Sequence, residues 1–126
     1  MKILIVDDNV DSAETTGMLL ELMGHETMCA NDGAQALEVA MRWLPQMVLL
    51  DINLPVLSGY EVAQKLRAAQ AMCDSYIVAL SGYSSDEDRQ KSLAAGCDQH
   101  IGKPFDPAAL TGLLETAASA LAARRR

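Results

Sequence analysis

Five short apolar runs recur along the chain, and their spacing limits the folds open to it. They are Lys2–Val6, Glu26–Ala30, Gln46–Leu50, Tyr76–Leu80 and Gln99–Gly102. Each has the length of a strand, and most are rich in aliphatic and β-branched residues. Between and after them the sequence carries helix punctuation. Asp32 precedes Gly33-Ala34-Gln35, a capping acid with Gln three residues on, and Ser58-Gly59-Tyr60-Glu61 and Ser84-Ser85-Asp86-Glu87 are capping boxes. Asp106-Pro107 sets a capping acid before a proline at the first helical position. Gly24 and Gly96 stand where helix C-caps fall. Leu110, Leu113, Leu114, Ala117 and Leu121 share one face of a final helix.

Strand alternating with helix five times predicts an α/β fold, with parallel strands, right-handed crossovers and helices on both faces. The first, third and fourth runs are nearly continuous in apolar residues, as strands buried on both faces should be. No linker, repeat or low-complexity tract divides the 126 residues. The expectation is a single domain over residues 1–126 with no output domain.

Charge narrows the function. The net charge is −7, and three of the ten Lys and Arg form the terminal run Arg124-Arg125-Arg126, leaving seven against seventeen acids. Such a domain repels nucleic acid and anionic membranes and attracts cations or basic partners. The Arg run reads as a solvated end. Cys29, Cys73 and Cys97 are odd in number, far apart and without a C-x-x-C. With no signal peptide or long apolar stretch, they predict reduced thiols and a cytoplasmic location. Cys29 reads as a small core residue. His25 and the cysteines lack metal-ligand spacing, so no zinc site is expected.

Open α/β sheets bind ligands at the carboxyl ends of their strands. Asp7 and Asp8 follow the first run, Asp51 the third, Ser81 the fourth and Lys103 the fifth. Each has an ordinary explanation. Asp7 and Asp8 can cap the next helix, Asp51 can open a turn, Ser81-Gly82 is a common loop pair, and Lys103-Pro104 can be a solvated turn. Their coincidence at one edge is what points to function. Clustered carboxylates ionise together only at a cost that a hard divalent cation removes. With two or three protein oxygens on offer, Mg²⁺ fits best. A carboxylate beside it can act as a nucleophile toward a phosphoryl group. Ser81 can donate to a phosphoryl oxygen, and Lys103 can neutralise it.

Asp7-Asp8, Asp51 with Ile-Asn-Leu-Pro after it, Ser81-Gly82 and Lys103-Pro104 together resemble the motif set of response-regulator receiver domains, in order and across the whole chain. The resemblance implies a doubly wound, flavodoxin-like (βα)5 sheet in the order 2-1-3-4-5. It implies that Asp51 accepts a phosphoryl group from a phosphohistidine on a sensor histidine kinase or phosphotransfer protein. Asp8, Asp51 and the main-chain carbonyl of Asn53 would ligate Mg²⁺, for which Mn²⁺ can substitute, and Asp7 would act through a metal-bound water. Lys103 and Ser81 would bind the phosphoryl group, Gly82 would leave room for it, and the Lys103–Pro104 peptide would be cis. Asn53 and Tyr83 match positions that tune the phosphoryl lifetime. Where better-known members carry an aromatic switch residue, this chain has His100, open to two readings: a switch, or a half-exposed histidine on the last strand.

The domain would assist its own phosphorylation and dephosphorylation without being an enzyme. It would signal to a downstream protein through the fourth helix, fifth strand and fifth helix, as a monomer or weak dimer without direct nucleic-acid or membrane contact. Two other classes compete: a Mg²⁺-dependent phosphohydrolase using an aspartyl phosphate, and a phosphorylation-independent interaction module. The first looks for a second acid two residues past the nucleophile, where this chain has Asn53, and the second should lack a motif residue. One test comes directly from the resemblance. Tyr83→Ala should change the rate of dephosphorylation while leaving phosphorylation possible, and equal decay rates would refute that role.

Overall fold

The computed structural model describes residues 1–82, 85–103 and 106–124. Tyr83, Ser84, Pro104, Phe105, Arg125 and Arg126 lie outside it, and with them the Tyr83 position, the cis peptide at Lys103–Pro104 and most of the Arg run. Five strands, β1 (Lys2–Val6), β2 (Glu26–Ala30), β3 (Met47–Asp51), β4 (Tyr76–Ser81) and β5 (Gln99–Gly102), alternate with five helices. The helices are α1 (Val10–Leu22), α2 (Gly33–Trp43), α3 (Gly59–Ala68), α4 (Asp86–Ala94) and α5 (Pro107–Arg124), with a 3₁₀ turn at Gln70–Met72. The strands form one parallel sheet in the order β2-β1-β3-β4-β5.

The core lies in two layers because strand side chains alternate between faces. Leu4, Val6, Val48, Leu50, Ile77 and Ala79 pack on α2 and α3, while Ile3, Ile5, Leu49, Val78 and Leu80 pack on α1 and α5. Every residue of β3 and β4 is buried. The α5 residues expected on one face are all buried against the second layer. Cys29, expected in the core, is only partly buried at the edge strand β2, where its Sγ approaches the Ala13 carbonyl.

Helix starts largely follow the predicted caps. Asp32 accepts from the Gln35 N–H, Ser58 from Glu61 N–H and Asp106 from Ala109 N–H. The fourth helix starts one residue later than its box implied, with Ser85 accepting from the Asp88 N–H. Asn9, not Asp7 or Asp8, caps α1 by accepting from Ser12 N–H. Gly24 and Gly96 have φ of 93° and 104° after α1 and α4, conformations that suit glycine. A side chain at Gly96 would also meet Arg67 Cγ at 2.6 Å.

That arginine belongs to a clasp at the amino end of the sheet. Its guanidinium donates to the carbonyls of Gly96, Cys73 and Ser75, and to Asp98 Oδ2 at 2.5 Å. Asp98 Oδ2 also accepts from the Ile77 N–H at 2.8 Å. Arg124 closes the clasp from the end of α5, pairing with Asp98 Oδ1 and lying 5.6 Å from the Tyr76 ring. Arg124 is therefore a tether and not part of a solvated end.

Two outcomes follow from burial and pairing. Asp98→Ala leaves two guanidiniums and a strand N–H without their shared acceptor, so unfolding free energy should fall by roughly 3 kcal/mol. Arg124→Ala should cost about 1 kcal/mol, because that side chain is more exposed. Urea denaturation of both variants measures the difference. Burial pushes the Cys97 thiol up to about 11, whereas Cys73 is exposed. A disulfide reagent at pH 8 should modify Cys73 rapidly and Cys97 only on unfolding.

Candidate functional site

Backbone bonds beyond the strand ends hold the site residues in place. The Asp7 N–H donates to the Ala30 carbonyl, and Asn31 Nδ2 donates back to the Asp7 carbonyl. Asp51 is the last residue of β3, one position later than its apolar run indicated, and Ser81 likewise ends β4. The next N–H groups continue the ladder: Ile52 donates to the Leu80 carbonyl, and Lys103 to the Ser81 carbonyl. Asp51 and Ser81 thus end adjacent strands, and Lys103 directly follows the next one, with fixed offsets.

The Lys103 ammonium lies between two carboxylates, 2.8 Å from Asp7 Oδ2 and 3.1 Å from Asp51 Oδ2. The remaining oxygens are also engaged, since Asp7 Oδ1 accepts from the Asn9 N–H and Asp51 Oδ1 from the Asn53 N–H, both at 2.9 Å. Asp7 and Asp51 are buried, while Asp8 is exposed. Burial alone raises the Asp7 carboxyl, but the Lys103 bond and charge and the Asn9 N–H outweigh it, holding the group below its ordinary 3.8. Desolvation alone lowers the Lys103 amine, and bonds to the two carboxylates reverse this and raise it above 10.5.

One carboxylate oxygen from each of Asp7, Asp8 and Asp51 lies within 4.8 Å of the others, the one such group among the described residues. Opposite ligands of an octahedral Mg²⁺ stand about 4.2 Å apart, so small side-chain adjustments suffice. The donor set is all oxygen, and exposed Asp8 leaves a face open to water, which fits that ion. A cleft of about 390 Å³ is lined by Ile52 and Asn53, which follow Asp51, and by Tyr60, Ser81, Asp88 and Lys91. At Gly82 a Cβ would meet nothing within 4 Å.

Two features escape the motif set. Gly59 packs so tightly that a Cβ would lie 2.5 Å from the Asp51 carbonyl oxygen and the Ile52 Cα, so it holds the start of α3 against the strand end. Val56 has φ of 66°, is fully exposed, and is the centre of a γ-turn closed by Leu57 N–H to the Pro55 carbonyl at 2.7 Å. A β-branched residue in that conformation stores about 1–3 kcal/mol of strain beside the site. In the sequence, only the turn that Asp51 can open points to this loop.

His100 departs from the half-exposed reading, being 5% exposed. Its Nε2 lies 2.9 Å from Ser81 Oγ and its Nδ1 2.7 Å from Ser92 Oγ. Burial follows from β5 packing under α4, and the paired hydroxyls satisfy both ring nitrogens.

The pairing at Lys103 makes stability depend on pH at both extremes. The depressed Asp7 contributes stability above pH 4 that is lost as pH falls through its folded value below 3.8. The raised Lys103 contributes stability below 10.5 that is lost as pH rises past its folded value. Lys103→Met should lower unfolding free energy at pH 7 by on the order of 2 kcal/mol and flatten both limbs. Thermal melts across pH, with and without Mg²⁺, test this, and added Mg²⁺ should recover part of the loss.

This geometry can be set beside known proteins. Residues 3–115 match the response regulator receiver domain. The transcriptional regulatory protein PrrA of Mycobacterium leprae is 41% identical over 104 residues, which are 82% of this chain and 44% of that protein. The chain thus spans less than half the length of that curated relative. The chemotaxis protein CheY4 of Vibrio cholerae superimposes with a TM-score of 0.88 at 29% identity, covering 92% of this chain and 97% of that one. The receiver domain of a sensor histidine kinase from Pseudomonas aeruginosa PAO1 does so with a TM-score of 0.84 at 32% identity, covering 91% and 94%, and its structure holds a magnesium ion in the active site cleft. With the family matched over nearly its full length and on the family's fold, this chain belongs to the response regulator receiver domains.

Proposed function

We propose that Asp51 is the phosphoacceptor of this receiver, taking its phosphoryl group from the phosphohistidine of a sensor kinase or phosphotransfer protein. The observation that carries the reading is the Lys103 ammonium bridging Asp7 and Asp51 while Asp8 faces solvent. Asp8, Asp51 and the Asn53 carbonyl would hold Mg²⁺ or Mn²⁺, with Asp7 acting through a metal-bound water, as the family resemblance implies. The bound ion would offset the charge of the carboxylates and of the incoming phosphoryl oxygens.

The chain's own residues do the rest. An Asp51 carboxylate oxygen forms the new P–O bond as the donor's P–N bond breaks. The bonding pair stays on the donor ring nitrogen, which leaves as neutral imidazole once the ring has taken a proton. Lys103, already in contact with Asp51, follows the charge onto the phosphoryl oxygens. Ser81 contributes an O–H donor from the adjacent strand, and Gly82 keeps the approach open. Asn53 and Tyr83, by their places in the motif set, would tune how long the phosphoryl group survives hydrolysis.

The domain passes its signal by protein contact. The expectation of no nucleic-acid contact applies to these residues, since relatives such as PrrA are transcriptional regulators of more than twice the matched length. No described helix is long and apolar enough to cross a membrane.

Incubation with acetyl phosphate followed by intact mass measurement tests the proposal. One phosphoryl group should be gained in Mg²⁺, and none in EDTA or in Asp51→Asn. Multiple turnover of an external phosphomonoester would favour the phosphohydrolase instead. Partner binding that ignores phosphorylation would favour the interaction module.

A further inference from the structure

Ser92 of α4 is fully buried, and no motif includes it. Its hydroxyl lies 2.7 Å from His100 Nδ1, and on the other side of the ring His100 Nε2 lies 2.9 Å from Ser81 Oγ. Ser81 ends the strand next to the one that ends in Asp51, and it lines a cleft with Ile52 and Asn53, the residues that follow Asp51. Hydrogen-bonding groups therefore run in a row from the strand end beside Asp51 through His100 of β5 to Ser92 of α4, which the Tyr60 side chain bonds as well. Ser81, His100 and Ser92 are all buried.

Proton counting restricts how this row can operate. A neutral imidazole carries one N–H, so one nitrogen donates and the other accepts. Each hydroxyl has a single proton to give. When Ser81 donates to Nε2, the ring proton sits on Nδ1 and Ser92 accepts it. When Ser81 turns its proton to a phosphoryl oxygen on Asp51, its oxygen can only accept from the ring. The ring proton must then sit on Nε2, Nδ1 is bare, and Ser92 must donate to it.

We propose that Ser92 is a positioning residue for phosphoryl binding, acting through His100 on the Ser81 hydroxyl. Phosphorylation reverses both hydrogen bonds of the row. The ring proton relocates from Nδ1 to Nε2 with no change of charge, and Ser92 changes from acceptor to donor. By donating to Nδ1, Ser92 supports the tautomer that leaves the Ser81 proton for the phosphoryl group. The helix that carries Ser92 thereby senses the phosphoryl group without rotation of an aromatic ring. This rests on Asp51 as the phosphoacceptor.

Imidazole ¹⁵N spectroscopy of the full chain reads the tautomer directly. The sequence has two histidines, and His25→Gln assigns the second ring. Spectra are recorded with Mg²⁺ alone and with Mg²⁺ and beryllofluoride as the phosphoryl mimic, and ¹⁹F spectra report whether the mimic is bound. In the parent, beryllofluoride should move Nε2 to the protonated, pyrrole-type shift and Nδ1 to the bare, pyridine-type shift. Ser92→Ala should bind beryllofluoride more weakly and lose the conversion, and Ser92→Thr, which keeps the hydroxyl, should restore it. A purely structural Ser92 would change stability and leave the tautomer conversion intact. Bound ¹⁹F signal with an unchanged ring, a doubly protonated ring, or full conversion in Ser92→Ala would overturn the relay alone. Absence of bound ¹⁹F signal in the parent, with no acetyl phosphate adduct, would overturn the phosphoacceptor reading and the relay with it.

Discussion

One ammonium group determines what the carboxyl edge of this sheet can be. Lys103 arrives at the end of β5 and reaches Asp7 and Asp51, carried by β1 and β3. Without a cation between them, two buried carboxylates at one strand edge would repel each other and pay for their lost hydration. With it, the carboxylates have a cation to balance them, and carboxylates of this kind can bind metal and attack phosphorus. The same contact would leave the cation in place for the phosphoryl oxygens of the proposed reaction. Charge balance and chemistry here depend on a single side chain, fixed by the Lys103 N–H bond to Ser81.

The frame that sets those positions was readable in the sequence because it rests on local signals. Apolar runs of strand length, caps before the helices and a helical stripe in α5 all work over a few residues. The site was readable for the complementary reason: parallel strands gather their carboxyl ends on one edge, so residues distant in sequence fall together once the alternation is recognised. Boundaries slipped where polarity misled. Asp51 and Ser81 look like loop residues, yet the ladder includes them because their backbones pair whatever their side chains carry.

What the sequence concealed depends on tertiary contact. Gly59 looked like an incidental member of a capping box, and only the packed structure brings the Asp51 carbonyl against it. Arg124 looked like part of a solvated tail until Asp98 was found to be its partner. His100 is polar and lies on a short strand, and its burial follows from β5 packing under α4 and from bonds to two serines, one on β4 and one on α4. In each case the decisive partner lies far away in sequence, beyond the reach of periodicity or capping.

The account's central claim is that the phosphoryl group resides on the Asp51 carboxylate as an acyl phosphate. Borohydride reduction after acetyl phosphate treatment tests it most directly, because an aspartyl phosphate is reduced to homoserine while phosphoesters survive. Peptide mass mapping should place homoserine at position 51 only. Homoserine at position 7 or 8, or a phosphoryl group that survives reduction on Ser81 or another hydroxyl, would contradict it.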